Sequence, residues 1–255
     1  SQIEAPFLAV GMTEEDQKRL PENYKEVFDE VVTIPWTDEA LPHNWKLHNW
    51  WKAYHMTLYK ETICLDADML FTHDHSDWWT ILGRGFPIQM CNNPVTFKGH
   101  KADVSYYSQA FTQNNLYRGY AALTYFRQSK EARKFFNMCE DIFKNWDDYS
   151  WEYIRHSKKR WAATDEVYGL AIRLLEWEDK VKPIPSFTFV HLKSKCQGLL
   201  DHKIQDADWT DYLSDTWDEN GRCFINNYLQ TKPLHYHVKS WLTDDHIERL
   251  EGLVQ

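Results

Sequence analysis

The sequence predicts an α/β protein, and three of its features support this fold class. Apolar runs of strand length alternate along the chain with segments whose apolar residues recur every three or four positions. The first such unit, residues 6–35, has the order strand, helix, strand, which is the usual start of a Rossmann-like arrangement. A later apolar run ends abruptly on two acids. Since ligands bind where strands end in open α/β sheets, we expect a site at this point.

The N-terminal strand–helix–strand unit is predicted from two apolar runs and a helix cap. The strands are expected at residues 6–12 and 27–35. Between them Thr13 is a favourable N-cap, and the acids at positions 14–16 fall in the first helical turn, where they complement the helix dipole. Pro21 ends this helix, because proline lacks the backbone N–H that the next turn requires.

A helix and a buried strand lead into the two acids. Residues 44–58 carry several aromatic and aliphatic side chains and are predicted to be helical. The apolar run at residues 62–65 has strand length and contains β-branched residues. It ends on Asp66 and Asp68, whose burial would cost several kcal/mol without a partner. A divalent cation is the simplest partner, because hard cations take carboxylate oxygens and can keep positions open for phosphate.

The loop after the acids carries His73 and His75. These two side chains could form a second metal cluster with the acids. A loop of this composition is more often the entry to a helix, with Asp74 or Ser76 as the cap. We therefore interpret the loop as a helix entry and keep the metal role as the alternative.

The rest of the chain continues the alternation of strands and helices. Residues 92–115 show no clear period and are interpreted as a substrate loop. The pair Asn220-Gly221 predicts a turn between strands. His235 and His237 alternate, which would place both imidazoles on one face of a strand. The remaining expected elements are strands at 86–91, 121–126 and 187–192, and helices at 129–146 (capped by Ser129), 164–177 and after Thr243.

The composition limits the class of protein. The 255 residues are 43% hydrophobic and 26% charged, as in ordinary globular proteins, and no run approaches the roughly 20 apolar residues of a membrane span. No signal-peptide pattern opens the sequence. The net charge of −9 argues against non-specific binding to a nucleic-acid backbone. Five irregularly spaced cysteines without a Cys-x-x-Cys pair are interpreted as reduced, mostly buried thiols, which predicts a cytoplasmic protein.

The stretch Leu65-Asp66-Ala67-Asp68, placed after an apolar strand, resembles the metal-binding motif of GT-A-fold glycosyltransferases, and most closely the glycogenin-like family eight. The resemblance implies a GT-A (Rossmann-like) nucleotide-diphospho-sugar transferase fold with a mixed central sheet flanked by helices. It also implies Mn²⁺ (or Mg²⁺) held by the two acids and a nucleotide-sugar donor, expected to be a UDP-sugar. Family members begin with an earlier strand and helix that hold the nucleotide base, and we expect this sequence to lack them.

The resemblance further implies roles for particular residues. His191, at the end of a predicted strand, matches the family's third metal ligand, while His235 and His237 are rival ligands. Asp165 and Glu166 resemble an Asp-Gln pair near the transferred sugar, which makes them the candidate catalytic residues. Both could instead simply complement a helix N-terminus. The candidate contacts to the donor are Asp66, Ala67, Lys193, Lys195 and Lys52, the last of which could instead be a solvent-exposed lysine.

These features together predict a metal-dependent glycosyltransferase of hexosyltransferase type. It would move a sugar, with retention, from a nucleotide-sugar to an acceptor that is a glycan, a protein or a modified nucleic acid. Residues 1–200 would form the catalytic domain, and residues 201–255 a C-terminal extension packed on it. One alternative is a metal-dependent nucleotidyltransferase or phosphohydrolase that uses the same acids. The other is a non-catalytic GT-A fold that binds a glycan or a partner.

Overall fold

The computed structural model describes residues 8–34, 50–154, 161–198 and 208–254. In these ranges the protein is mixed α/β, as the sequence predicts. The strands are β1 (Ala9–Met12), β2 (Glu30–Thr33), β3 (Glu61–Leu65), β4 (Met69–Leu70), β5 (Ile88–Cys91), β6 (Tyr120–Arg127), β7 (Val190–His191), β8 (Asp215–Trp217), β9 (Cys223–Ile225), β10 (Tyr228–Leu229) and β11 (Leu234–His235). The helices are α1 (Glu14–Arg19), α2 (Glu22–Lys25), α3 (Ala53–Met56), α4 (Asp77–Gly83), α5 (Ser105–Gln113), α6 (Lys130–Lys144), α7 (Trp146–Tyr153), α8 (Thr164–Leu174) and α9 (Asp244–Val254).

The N-terminal unit has the predicted order of strand, helix and strand. β1 and β2 pair in parallel, with Ala9 opposite Glu30. Thr13 caps α1, because its Oγ1 accepts a hydrogen bond from the backbone N–H of Asp16 at 3.1 Å. The additional short helix α2 lies between α1 and β2. The predicted order of strand, helix and strand is therefore confirmed for this unit, which forms a separate two-stranded parallel sheet.

The strand that precedes the two acids belongs to an antiparallel sheet of order β3-β6-β5. β6 lies in the middle, and seven of its eight residues are buried. Elements on both faces therefore cover this strand, which explains why its sequence is a continuous apolar run rather than an alternating one. The register places Leu65 at the end of β3 opposite Leu123.

α6 and α8 form the main helical layer of the core. Ser129 caps α6, with its Oγ accepting a hydrogen bond from the backbone N–H of Ala132 at 3.0 Å. α6 packs against α8 and also against α3, where Tyr54 stacks on Phe136 at 5.1 Å between ring centroids. The predicted amphipathic period of α6 is confirmed by its buried residues: Ala132, Phe135, Phe136, Cys139, Ile142 and Phe143.

A third sheet joins three segments that are far apart in the chain. β11 lies between β4 and β7, antiparallel to β4 and parallel to β7. Each of the three strands is only two residues long. Leu234 of β11 is completely buried in an apolar cluster that also contains Val190 of β7. This packing stabilises a sheet too short to be held by its own hydrogen bonds.

The C-terminal segment forms an antiparallel sheet of order β10-β9-β8 followed by α9. The predicted turn between strands is confirmed, since Gly221 adopts φ = +72° between β8 and β9, a conformation that glycine tolerates without strain. Arg249 of α9 donates hydrogen bonds to the carbonyls of Trp217 and Asp218, both at 2.9 Å. These bonds hold the last helix against the hairpin.

Four predicted features differ from the structure. The interpretation of residues 92–115 as one irregular loop is wrong, because they contain α5. Of the helix expected at residues 44–58, residues 44–49 lie outside the described part of the chain, and α3 covers only Ala53–Met56. The strand before His191 is only two residues long. The strands described here form four small sheets rather than one continuous central sheet.

All five cysteines carry free thiols, and four of them are buried. Burial raises the pKa of Cys91 to about 12, so this thiol stays protonated at neutral pH. The prediction of mostly buried thiols is confirmed. Among the helices of the described ranges, none combines the length and the apolar composition that a membrane crossing requires.

Candidate metal site

Asp66 and Asp68 lie in the turn between β3 and β4. The backbone N–H of Asp66 donates to the carbonyl of Ala122 in β6 at 3.1 Å. The carbonyl of Asp68 accepts from the N–H of Tyr236 at 3.1 Å. These two bonds tie the turn to the central strand on one side and to the C-terminal segment on the other. The positions of the two acids are therefore fixed by backbone hydrogen bonds to β6 and to the residue that follows β11.

β11 brings a histidine to the acids. Because β11 lies between β4 and β7, His235 is directly opposite Met69 in one strand and His191 in the other. The His235 residue is only 5% exposed, and the ring of Phe189 packs edge-on against it at 5.3 Å. The position of this imidazole is thus set by strand register and by apolar packing.

The acid cluster consists of Asp66, Asp68 and His235. Nε2 of His235 lies 3.1 Å from Oδ1 of Asp68 and 3.4 Å from Oδ2 of Asp66. One ligand atom from each residue lies within 4.8 Å of the other two. Two carboxylate oxygens and one imidazole nitrogen are donors that suit Mn²⁺ or Mg²⁺. The donor set and its spacing therefore fit the divalent ion that the sequence motif implies.

Lys239 is a part of this site that the sequence did not reveal. Its Nζ lies 2.7 Å from Oδ2 of Asp68, although most of the lysine side chain is exposed. Lys239 begins the short 3₁₀ turn Lys239–Trp241, after β11 has ended at His235. This turn, and not a shared strand face, brings the lysine to Asp68, so no periodicity in the sequence indicates it. The site therefore contains a built-in cation that faces the same carboxylate as His235.

The two carboxylates have opposite electrostatic environments. Burial raises the pKa of Asp66 to about 6, and the charges of Asp68 and Asp165 add to this while that of His235 opposes it. Burial also acts on Asp68, but hydrogen bonds from His235 and Lys239 outweigh it and hold the pKa of Asp68 below its ordinary range. Near pH 7 the site thus holds one well-compensated carboxylate and one that lacks sufficient positive charge.

Asp66→Asn is expected to stabilise the protein without metal. The Asp66 pKa of about 6 exceeds the ordinary value of 3.8, so folding stability falls as the pH rises between these values and stays low above them. Asparagine avoids this loss, and because the carboxylate is 33% exposed we expect a gain of only about 1 kcal/mol in the free energy of unfolding above pH 7. Urea unfolding in a chelator at several pH values measures it. A gain that persisted unchanged at pH 3.5 would contradict this explanation.

The histidine cluster, formed by His191, His235 and His237, lies next to the acid cluster and shares His235 with it. Nε2 of His237 and Nδ1 of His191 are 3.0 Å apart. Burial lowers the pKa of both side chains, and the neighbouring His235 contributes in each case. The predicted single strand face is only partly observed. β11 ends at His235, and His237 returns to the site through a left-handed backbone conformation with φ = +55°.

The structure therefore favours a different third metal ligand from the one that the sequence analysis put first. His235, the rival ligand, groups with Asp66 and Asp68, whereas His191 groups with the other two histidines. His237 is intermediate, since its Nδ1 lies 3.8 Å from Oδ2 of Asp68. Which histidine binds a metal stays a prediction, but the described geometry favours His235 for the acid cluster.

The two candidate catalytic acids, Asp165 and Glu166, have different surroundings in the structure. Oδ1 of Asp165, in the first turn of α8, accepts a hydrogen bond from the backbone N–H of Ala121 at 2.6 Å. Ala121 is next to Ala122, which binds the backbone of Asp66, and the charge of Asp165 contributes to the raised pKa of Asp66. Asp165 thus lies beside the acid cluster. Glu166 is completely buried.

The candidate contacts to the donor also differ in their exposure and in their position. Ala67 is exposed in the turn between the two acids, and Lys193 is exposed close enough to lower the pKa of His191 and His237. Lys195 lies in the short 3₁₀ turn after β7. Lys52 is completely buried, with its Nζ 5.7 Å from the ring centroid of Trp51, so the alternative of a solvent-exposed lysine is wrong. A phosphate contact by Lys52 stays a prediction.

The loop after the acids leads into α4, as expected, but the side chain of the N-cap residue Ser76 makes no capping hydrogen bond. His75 stacks on Trp78 of α4 at 4.6 Å between ring centroids. Oδ1 of Asp74 accepts a hydrogen bond from the backbone N–H of Ser76, the N-cap residue of α4, at 2.8 Å. Neither His73 nor His75 belongs to the acid cluster or to the histidine cluster.

The acid and histidine clusters, their burial and the charges around them are the features from which a function can be inferred. No protein-family model matches this chain, and no curated protein matches it significantly.

Proposed function

We propose that the protein is a metal-dependent glycosyltransferase that moves a sugar from a nucleotide-sugar, expected to be a UDP-sugar, to an acceptor with retention. The observation that carries this proposal is the convergence of Asp66, Asp68 and buried His235 at the end of β3. Two carboxylates and an imidazole are suited to a divalent ion, and such an ion can keep positions open for a phosphate-bearing ligand. The five free thiols agree with a cytoplasmic location.

Asp66, Asp68 and His235 would hold Mn²⁺ or Mg²⁺. When bound, such an ion supplies Lewis-acid stabilisation of the negative charge that develops on a departing diphosphate. The pair of carboxylates provides two negative charges, and Lys239 compensates only part of this. The remaining negative charge favours a dication over a neutral ligand at this place.

The protein's own residues would orient and stabilise the reactants around this ion. Lys239 at the acid cluster and exposed Lys193 beside the histidines would place positive charge near the leaving phosphates. Asp165 is held by the N–H of Ala121 and would face the transferred sugar from the start of α8. Buried Phe189 and Tyr120 pack against the histidine rings and would restrict their motion.

The direct test is a screen of common nucleotide-sugars for Mn²⁺-dependent hydrolysis. We expect slow release of a nucleoside diphosphate from one donor and no release in a chelator. Release of a nucleoside monophosphate or of inorganic phosphate would instead support the phosphohydrolase or nucleotidyltransferase alternative. If the folded protein neither binds nor turns over any donor, the glycosyltransferase proposal is wrong.

Lys239→Met is expected to separate metal binding from turnover. Loss of the cation 2.7 Å from Asp68 removes a competitor for that carboxylate, so Mn²⁺ should bind about threefold more tightly. Loss of the same charge near the leaving diphosphate should lower turnover by about tenfold. Titration of Mn²⁺ and steady-state hydrolysis measure the two effects. Lys130→Met, at an exposed lysine on α6, is the control. Weaker Mn²⁺ binding in the Lys239 variant would contradict this role.

A non-catalytic function is the second candidate, and Lys239 is the observation that favours it. Together with His235, this lysine already compensates the charge of Asp68 without a metal ion. A fold that retained the acids for this ion pair alone could bind a glycan or a partner without turnover. Mn²⁺ binding weaker than millimolar, together with binding of a glycan, would favour this candidate over the transferase.

A further inference from the structure

The histidine cluster has features of a binding site that the acid motif does not explain. β11 runs beside β7, and the left-handed turn at His237 brings its ring back to the other two. The ring centroids of His235 and His237 are 3.8 Å apart, and those of His191 and His237 are 4.8 Å apart. One nitrogen of each ring lies within 4.8 Å of the other two.

The pair of His191 and His237 has the spacing of two metal ligands. Their facing nitrogens, Nδ1 and Nε2, are 3.0 Å apart. In a tetrahedral zinc site, Zn–N bonds of about 2.0–2.1 Å place two nitrogens about 3.3 Å apart. A metal ion could therefore replace the hydrogen bond of this pair with only a small movement of the rings.

His235 provides an independent observation. Its residue is 5% exposed, its Nε2 faces the two acids, and its Nδ1 is buried without a hydrogen-bond partner among the described residues. A buried polar atom without a partner costs about 1–3 kcal/mol. The ring lies nearly parallel to those of His191 and His237, at interplanar angles of 28° and 36°. A small rotation of the His235 ring would therefore be needed to bring the in-plane lone pair of Nδ1 to a metal ion bound by the other two imidazoles.

We propose that His191, His235 and His237 form a second metal site that binds a borderline transition-metal ion, with Zn²⁺ as the expected ion. Imidazoles suit zinc, copper and nickel, whereas carboxylates suit manganese and magnesium. Three histidines also leave the fourth position of a tetrahedral site open, as in catalytic zinc sites. This site goes beyond the glycosyltransferase proposal and does not depend on it.

Metal binding to the cluster should depend on pH, because a histidine must be neutral to offer a lone pair to a metal ion. Because the two metal sites share His235, loss of this residue should weaken metal binding at both sites. Replacement of a ligand that belongs to one site alone should weaken binding at that site alone.

The test is a titration of the full chain with Zn²⁺ alone, in wild type and four variants in which asparagine replaces one residue. His191→Asn removes a ligand of the histidine cluster only. His237→Asn removes a histidine-cluster ligand whose Nδ1 also lies 3.8 Å from Oδ2 of Asp68, and asparagine tolerates the left-handed backbone at this position. Asp66→Asn alters only the acid cluster. His100→Asn removes an exposed histidine and controls for surface binding. Circular dichroism checks that each variant is folded.

We expect one Zn²⁺ to bind tightly to wild type, His100→Asn and Asp66→Asn, and about 100-fold more weakly to His191→Asn and His237→Asn. If buried His191 cannot be replaced without unfolding, the partly exposed His237 carries the test. An equal loss of Zn²⁺ affinity in Asp66→Asn and His237→Asn would mean that the ion binds at one mixed site of aspartate and histidine ligands, which would overturn the proposal. Absence of stoichiometric Zn²⁺ binding to wild type would overturn it as well. Mn²⁺-dependent donor turnover, assayed separately, tests the glycosyltransferase proposal.

Discussion

Asp68→Asn is expected to abolish metal-dependent turnover of the nucleotide-sugar. Asp68 is the one carboxylate of the site that both His235 and Lys239 contact, at 3.1 and 2.7 Å. Its replacement by a neutral amide removes a metal ligand and leaves Lys239 without its carboxylate. A loss of several kcal/mol of transition-state stabilisation corresponds to a decrease of about 1000-fold in kcat/KM. Steady-state release of nucleoside diphosphate in Mn²⁺ measures it.

Asp74→Asn is the matched control for this variant. Asp74 lies on the same segment and is exposed, and its carboxylate bonds Ser76 rather than a histidine. Turnover should stay within about twofold of wild type in this control. Without metal, Asp68→Asn should destabilise the protein, in contrast to Asp66→Asn, because the pKa of Asp68 is held below its ordinary value. Full turnover in folded Asp68→Asn would remove the acid cluster from the mechanism.

The second large effect, a loss of Mn²⁺ affinity, is expected in His235→Asn but not in His191→Asn. Asparagine is too short to reach the position of Nε2, which lies 3.1 Å from Asp68. We expect Mn²⁺ affinity to fall by about 100-fold in His235→Asn and by less than about threefold in His191→Asn. Isothermal titration with Mn²⁺ measures both affinities.

This comparison decides between the family resemblance and the observed geometry. The resemblance implies His191 as the third ligand, whereas the described structure places His235 with the acids. Loss of Mn²⁺ binding in His191→Asn with normal binding in His235→Asn would reverse our assignment. Unfolding in urea, measured for both variants, separates lost coordination from lost structure, since both residues are buried.

Local patterns predicted much of the fold correctly. Thr13 caps its helix directly before the three acids that indicated it, and Ser129 caps the helix that has the clear apolar period. Gly221 makes the expected turn, because a left-handed backbone at this position strongly favours glycine. These features depend on contacts within a few residues, which the sequence displays directly. α5 was missed because Ser105–Gln113 is rich in polar residues and has no clear apolar period.

The sequence by itself determined two acids at the end of an apolar strand and hence the prediction of a cation there, although β3 is half-buried rather than buried as expected. Only the tertiary structure decided which nitrogens meet them. His235 and Asp68 are 167 positions apart, and they meet because a two-residue strand pairs with both β4 and β7. Such pairing leaves no periodicity in the sequence, because its register is set by the burial of Leu234 and its neighbours in a common core. The local pattern therefore determined the carboxylates, and long-range packing decided their histidine and lysine partners.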